Sequence, residues 1–173
     1  MGRIVYITGG SRSGKSSYAQ KLAEEHVGDL LYVATAEVRD DEMAVRVGRH
    51  QAERGERWQV LEEPLQLAEA IPPAAGEAAA ILIDCLTLWL SNQLEEYGDK
   101  ELKIYHEATT LIEALRQLNA TTYIVSNELG SGIVPENRVA RTFRDLAGLL
   151  NQKIAEAADE AWLVVSGLPL KLK

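Results

Sequence analysis

The sequence holds a single cysteine, Cys85, among 173 residues. One thiol closes no intramolecular disulfide and builds no cysteine-based zinc site. Histidine is nearly as scarce. His26, His50 and His106 form no close pair, so a dedicated histidine metal site is not expected. Positive charge is in deficit, with 18 Lys and Arg against 26 Asp and Glu, a formal net charge of −8. An average surface of that sign repels a phosphate backbone, which argues against a nucleic-acid-binding protein. Any bound phosphate must be held by local positive features. Five prolines and 13 glycines without a period exclude a collagen-like chain. Long apolar runs are missing too. The first, residues 4–7, is too short for a signal peptide or a membrane span, so the expected compartment is the cytoplasm.

What is present is a chain 46% hydrophobic and 25% charged, too apolar for disorder and long enough for a core. No repeat and no linker-like stretch appears, so residues 1–173 are expected to form one domain. Short apolar runs at residues 4–8, 30–35, 80–84, 122–126 and 162–166 are apolar at consecutive positions. Strands covered on both faces read that way, as in a parallel sheet. Residues 58–61 suggest a further short strand, and 168–173 an edge strand. Helical patterns fall at 15–26, 41–54, 64–71, 100–119 and 135–158, while 72–76, with Pro72 and Pro73, reads as a loop. Alternation of this kind predicts an α/β fold, a mostly parallel sheet flanked by helices.

The first strand runs into Gly9-Gly10-Ser11-Arg12-Ser13-Gly14-Lys15-Ser16, the full G-x-x-x-x-G-K-[ST] pattern, and a predicted helix follows at once. Glycines let successive backbone N–H groups turn toward phosphate oxygens, and the helix adds the positive end of its dipole. Lys15 supplies a mobile charge for the outer phosphates, and Ser16 can offer its hydroxyl to Mg²⁺. The loop therefore predicts a nucleoside triphosphate and leaves the reaction open. Asp84 ends an apolar strand, at the end of a parallel sheet where ligands bind. It suits Mg²⁺, held through water, or the cap of the helical stretch around Thr87. Both readings stand at this level.

In the predicted helix 41–54, Arg46, His50 and Arg54 recur every four residues and share a face. Flanking guanidiniums disfavour an imidazolium, which leaves a neutral ring able to attack an α-phosphorus. On spacing alone, a solvated basic face is the better reading. His26 is expected to end the first helix. In the helix predicted from Pro135, the residues Val139, Phe143, Leu146, Leu150 and Ile154 form an apolar stripe. Arg138, Arg141 and Arg144 lie off it, facing a ligand phosphate, a neighbouring subunit or solvent. Asn127-Glu128 follows a strand and is given no role.

These residues together resemble the bifunctional adenosylcobinamide kinase / adenosylcobinamide-phosphate guanylyltransferase family of cobalamin biosynthesis. The likeness runs over essentially the whole chain. It rests on Thr8 to Ser16, Tyr32 to Ala36, Asp41-Glu42-Met43-Ala44 with Arg46 and His50, and Ser126-Asn127-Glu128. It continues through Gly132 to Arg138 and Trp162 to Gly167. The resemblance implies a RecA-like P-loop core and a homotrimer. It implies phosphorylation of adenosylcobinamide by ATP or GTP, then transfer of GMP from GTP to the phosphate through a guanylylated histidine, matched here by His50. It also implies nucleotide contacts from Gly9 to Ser16, from Ala34, Thr35 and Ala36, from Gln51, Ala52, Glu53 and Arg54, and from Glu62 and Asp84. A small-molecule P-loop kinase without a covalent intermediate and a GTP-dependent regulatory module remain the alternatives. The latter usually carries an asparagine-lysine-x-aspartate signature, which Ser126-Asn127-Glu128-Leu129 does not match.

Overall fold

A computed structural model of the chain describes residues 2–36, 55–98 and 101–173. Seven strands form one sheet: β1 (Arg3–Gly9), β2 (Leu30–Ala34), β3 (Trp58–Glu62), β4 (Ala80–Asp84), β5 (Thr121–Asn127), β6 (Glu160–Val165) and β7 (Leu168–Lys171). Their order is β3-β2-β4-β5-β1-β6-β7, and only β7 runs antiparallel. The central strands are buried along nearly their whole length, which is why they read as unbroken apolar runs. The edge strands β3 and β7 are largely exposed, and Pro169 and Lys171 blunt the β7 edge.

Five helices are described: α1 (Lys15–Glu24), α2 (Leu67–Ala75), α3 (Leu86–Tyr97), α4 (Glu101–Arg116) and α5 (Arg138–Ala157). Ile4, Tyr6, Ile83 and Ile124 face a core shared with α2, α3, α4 and α5. Val5, Ile7, Leu82 and Val125 face α1, whose Ala19 and Ala23 are fully buried. Two alanines one turn apart let that helix lie close to the sheet.

Four expectations change. The predicted 72–76 loop is helical to Ala75, with Pro72 and Pro73 inside α2. Leu67, Ile71 and Ala75 recur every four residues and are all buried, so packing on the sheet overrides the proline penalty. The final long helix begins at Arg138, not Pro135, because the Asn137 side chain accepts the Ala140 N–H at 3.2 Å. Arg141 Nη1 donates to the Pro135 and Glu136 carbonyls, at 3.0 and 2.6 Å, holding both outside the helix. Arg144 Nη1 donates to the Gly132 carbonyl. Val139, expected on the apolar stripe, is 76% exposed, and the buried stripe is Leu146, Leu150 and Ile154. His26 lies beyond α1 and meets the Tyr123 hydroxyl at 2.9 Å. The helix predicted over 41–54 lies outside the described residues.

A polar lock closes the end of the sheet remote from the phosphate loop. Asp159 Oδ2 accepts from the Ile4 N–H at 2.8 Å and from Arg116 Nη1 at 2.7 Å. The same Arg116 nitrogen donates to the Gly2 carbonyl. Burial pushes the Asp159 carboxyl up, but the Arg116 and Ile4 hydrogen bonds and the Arg116 charge outweigh it, so it titrates below the ordinary range. A depressed carboxyl contributes stability that is present above the unfolded value, near 3.9, and is lost as pH falls through the folded one. Asp159→Asn should cost about 1 kcal/mol in urea unfolding at pH 7, a partly exposed charge-assisted pair. The gap to the parent protein should narrow steadily as pH falls below the unfolded value. A gap unchanged by pH would count against the ionic part of the lock.

Candidate active site

The carboxyl ends of β3, β2, β4, β5 and β1 form one rim, bearing Glu62, Ala34, Asp84, Asn127 and Gly9 in that order. At its β1 end the chain curls into the phosphate loop. A Cβ at Gly9 would lie 2.4 Å from the Val164 carbonyl oxygen, so only glycine fits there. Gly14 has φ +95, and a Cβ on it would lie 3.2 Å from Gly167 Cα. That contact comes from the β6–β7 turn, where Ser166 and Gly167 both adopt positive φ and the Gly167 N–H donates to the Ser13 carbonyl at 2.8 Å. The hairpin therefore braces the loop from outside, a support that leaves no periodic signal in the sequence.

Lys15 opens α1 and is buried, its ammonium donating to the Gly10 carbonyl at 3.1 Å. The start of α1 has no side-chain cap and no acidic residue in its first turn. Its first N–H groups and dipole are left for an anion. Gly10, Ser11 and Arg12 are exposed around the loop mouth, and Ser13 is buried beneath it.

Ser16 Oγ donates to Asp84 Oδ1 at 3.1 Å, and the Tyr32 hydroxyl donates to Asp84 Oδ2 at 3.2 Å. Of the two roles open for Asp84, the cap is not taken: Cys85 is the α3 cap residue and no side chain caps that helix. Two oxygens from two elements suit Mg²⁺, which keeps several waters and takes its remaining ligands from substrate phosphates. Among the described residues no group of three or more His, Cys, Asp or Glu could hold a metal alone. The Tyr32 partner was invisible in the sequence, where tyrosine within an apolar run reads as core.

Thr35 fixes the next stretch of rim. Its Oγ1 donates to the Cys85 carbonyl at 2.8 Å and accepts from the Cys85 N–H at 3.0 Å. Burial, then the neighbouring Asp84 charge, pushes the Cys85 thiol up, so it stays protonated. Ala34 is buried beside Asp84, Ala36 is half-buried, and Glu62 is exposed at the end of β3. His50, Gln51, Ala52, Glu53 and Arg54 lie outside the described residues. Beneath the rim, burial pushes the Tyr6 phenol up to about 12.

The family described as cobinamide kinase / cobinamide phosphate guanyltransferase matches residues 5–172. The chain belongs to that family. It is 42% identical to the bifunctional adenosylcobalamin biosynthesis protein CobU of Escherichia coli strain K12, over 98% of this chain and 99% of that protein. The corresponding protein of Salmonella typhimurium is 41% identical over the same shares. The bifunctional adenosylcobalamin biosynthesis protein CobP of Pseudomonas aeruginosa is 42% identical, over 96% of this chain and 95% of that one. A solved ATPase from the type III secretion system of pathogenic bacteria superimposes with a TM-score of 0.56 at 13% identity. The overlap covers 98% of this chain and 56% of the ATPase. At that identity the likeness shows the fold alone, a RecA-like P-loop core. In this cobinamide kinase family member, one strand, β5, separates the phosphate-loop strand from the Asp84 strand.

Proposed function

We propose that this chain, acting as one domain, phosphorylates adenosylcobinamide with a nucleoside triphosphate and then transfers GMP from GTP to the new phosphate. The observation that carries the reading is the convergence of Lys15, Ser16 and Asp84 on the phosphate loop of a chain matched to the family almost end to end. Gly9 to Ser16 cradle the phosphates. Ala34, Thr35, Ala36, Glu62 and Asp84 line the rest of the rim toward the nucleoside, and the family resemblance adds nucleotide contacts from Gln51, Ala52, Glu53 and Arg54. Ser16 and Asp84 would hold Mg²⁺, which would offset charge on the phosphate oxygens.

In the first step the substrate hydroxyl oxygen bonds to the γ-phosphorus as the bond to the β-bridging oxygen breaks, the nucleoside diphosphate leaves, and the hydroxyl proton passes to solvent. Lys15 supports the charge that shifts onto the phosphate oxygens. In the second step His50 attacks the α-phosphorus of GTP, pyrophosphate leaves, and the cobinamide phosphate oxygen displaces the imidazole. The enzyme acts in the cytoplasm as a homotrimer. No helix among the described residues is long and apolar enough to cross a membrane.

Mass spectrometry of the corrinoid tests the reading. With Mg²⁺ and ATP, adenosylcobinamide should gain one phosphate. Adding GTP should convert that product to the GDP conjugate and release pyrophosphate. Product that stops at the phosphate with either nucleotide points to an ordinary small-molecule kinase, and an unmodified corrinoid rejects both steps.

A further inference from the structure

Asn127 ends the strand between the phosphate loop and Asp84, in register with Gly9 on one side and two residues past the Val125–Asp84 pairing on the other. Strand spacing puts its backbone about 4.8 Å from Gly9. The next N–H, of Glu128, donates to the Gly9 carbonyl at 3.0 Å. Gly10, which follows, carries the carbonyl on which the Lys15 ammonium rests. Asn127 thus stands beside the point where the lysine waits for the outer phosphates.

Its backbone is fixed from both directions by side chains. The Asn127 N–H donates to Thr87 Oγ1 at 2.8 Å, and its carbonyl accepts from Asn151 Nδ2 at 2.9 Å. Asn151 Oδ1 in turn accepts from Ser126 Oγ at 2.7 Å, and the Thr87 and Ser126 hydroxyls lie 3.3 Å apart. The Asn127 side chain is not so committed. It is half-buried, and its Nδ2 donates to Cys85 Sγ at 3.7 Å. A thiol sulfur is a weak acceptor that a phosphate oxygen readily displaces.

The adjacent carboxylate does not compete for this role. Glu128 Oε1 accepts from the Gly130 N–H at 2.6 Å and Oε2 from the Ser131 N–H at 3.2 Å. Burial pushes its carboxyl up, but the Ser131 and Gly130 hydrogen bonds and the Arg144 charge outweigh that and hold it below the ordinary carboxylate range. A carboxylate with both oxygens engaged shapes its loop and is a poor base.

We propose that the Asn127 carboxamide donates a hydrogen bond to the terminal phosphoryl group of the bound nucleoside triphosphate, working opposite Lys15 in the kinase step. The inference rests on the phosphate-loop reading above. It makes Asn127 a catalytic residue whose contact exists only while the γ-phosphate is present. A nucleoside diphosphate does not use it.

The test uses the full-length protein and Asn127→Ala and Asn127→Asp. Affinities for GDP and for a non-hydrolysable GTP analogue are measured with Mg²⁺, beside kinase kcat and KM. Both variants should bind GDP within about twofold of the parent and melt at the same temperature, since only a weak sulfur contact is lost. Preference for the triphosphate analogue over GDP should fall roughly tenfold, the scale of a charge-assisted hydrogen bond. Kinase kcat should fall on the order of 10²-fold. Asn127→Asp should be the more impaired, because a carboxylate repels the phosphoryl oxygens. Equal losses for GDP and the analogue, or an unchanged kcat, would overturn the proposal. Failure of the parent protein to bind either nucleotide would instead bring down the phosphate-loop reading, and this one with it.

Discussion

Lys15→Ala should abolish measurable phosphorylation of adenosylcobinamide while leaving the protein as stable as before, or slightly more so. The two halves of that result have one cause. Lys15 is 8% exposed, and among the described residues its ammonium has one hydrogen-bond partner, the Gly10 carbonyl. A desolvated cation paired only with a neutral carbonyl is held at a cost, because burial removes water that the protein replaces incompletely. Alanine removes that cost and keeps helix propensity at the first position of α1. The Gly10 carbonyl it abandons belongs to an exposed residue and can turn to water. Catalysis has no such substitute. Loss of one preorganised group at a developing charge typically lowers a rate by 10²–10³, and a full positive charge on the transferring phosphoryl belongs at the upper end, on the order of 10³-fold or about 4 kcal/mol. Steady-state kinetics beside a thermal melt decides it. Unchanged turnover would remove Lys15 from the chemistry. A large drop in melting temperature would recast it as a structural residue.

The same contrast between local and long-range causes explains what the sequence revealed. Strands β1, β2, β4 and β5 were legible because burial on both faces imposes apolar residues at every position, a pattern confined to five or seven neighbours. The phosphate loop was legible for a similar reason: its glycines, lysine and serine act within eight residues. The prolines of α2 misled because the force that keeps them helical comes from the sheet, through Ile71 and Ala75. The start of α5 was misplaced by one competition between two good helix starters, Pro135 and Asn137, which Arg141 decides from inside the helix. At the site, Asp84 was found by its place at a strand end, yet Tyr32, 52 residues away in sequence, was not. Neither was Gly167, whose turn braces a loop more than 150 residues earlier. Such partners leave no spacing to read, because the fold brings them together.

His50→Ala should eliminate covalent labelling of the protein by GTP carrying label in its α-phosphate, while the kinase step with ATP continues. A histidine intermediate makes a chemical demand that no ordinary kinase makes. When the imidazole nitrogen bonds to the α-phosphorus, pyrophosphate departs with the electron pair of the broken phosphoanhydride, and GMP stays on the ring. The ring must be neutral to supply that pair. Arg46 and Arg54, four residues to either side along the sequence, would favour the neutral form over the cation if that stretch is helical, as its spacing predicts. The phosphorus–nitrogen bond then predicts its own signature after denaturation: label lost in acid, where the nitrogen is protonated and leaves, and kept in alkali. Cobinamide phosphate added before quenching should discharge the label into product, with its oxygen replacing the nitrogen at phosphorus. The expected loss in the variant is complete, because the substitution removes the nucleophile itself. His26 lies just beyond α1 and is engaged with the Tyr123 hydroxyl. Acid-stable label, or label that survives in His50→Ala, would reject this histidine as the carrier and leave the phosphate loop to act by direct transfer.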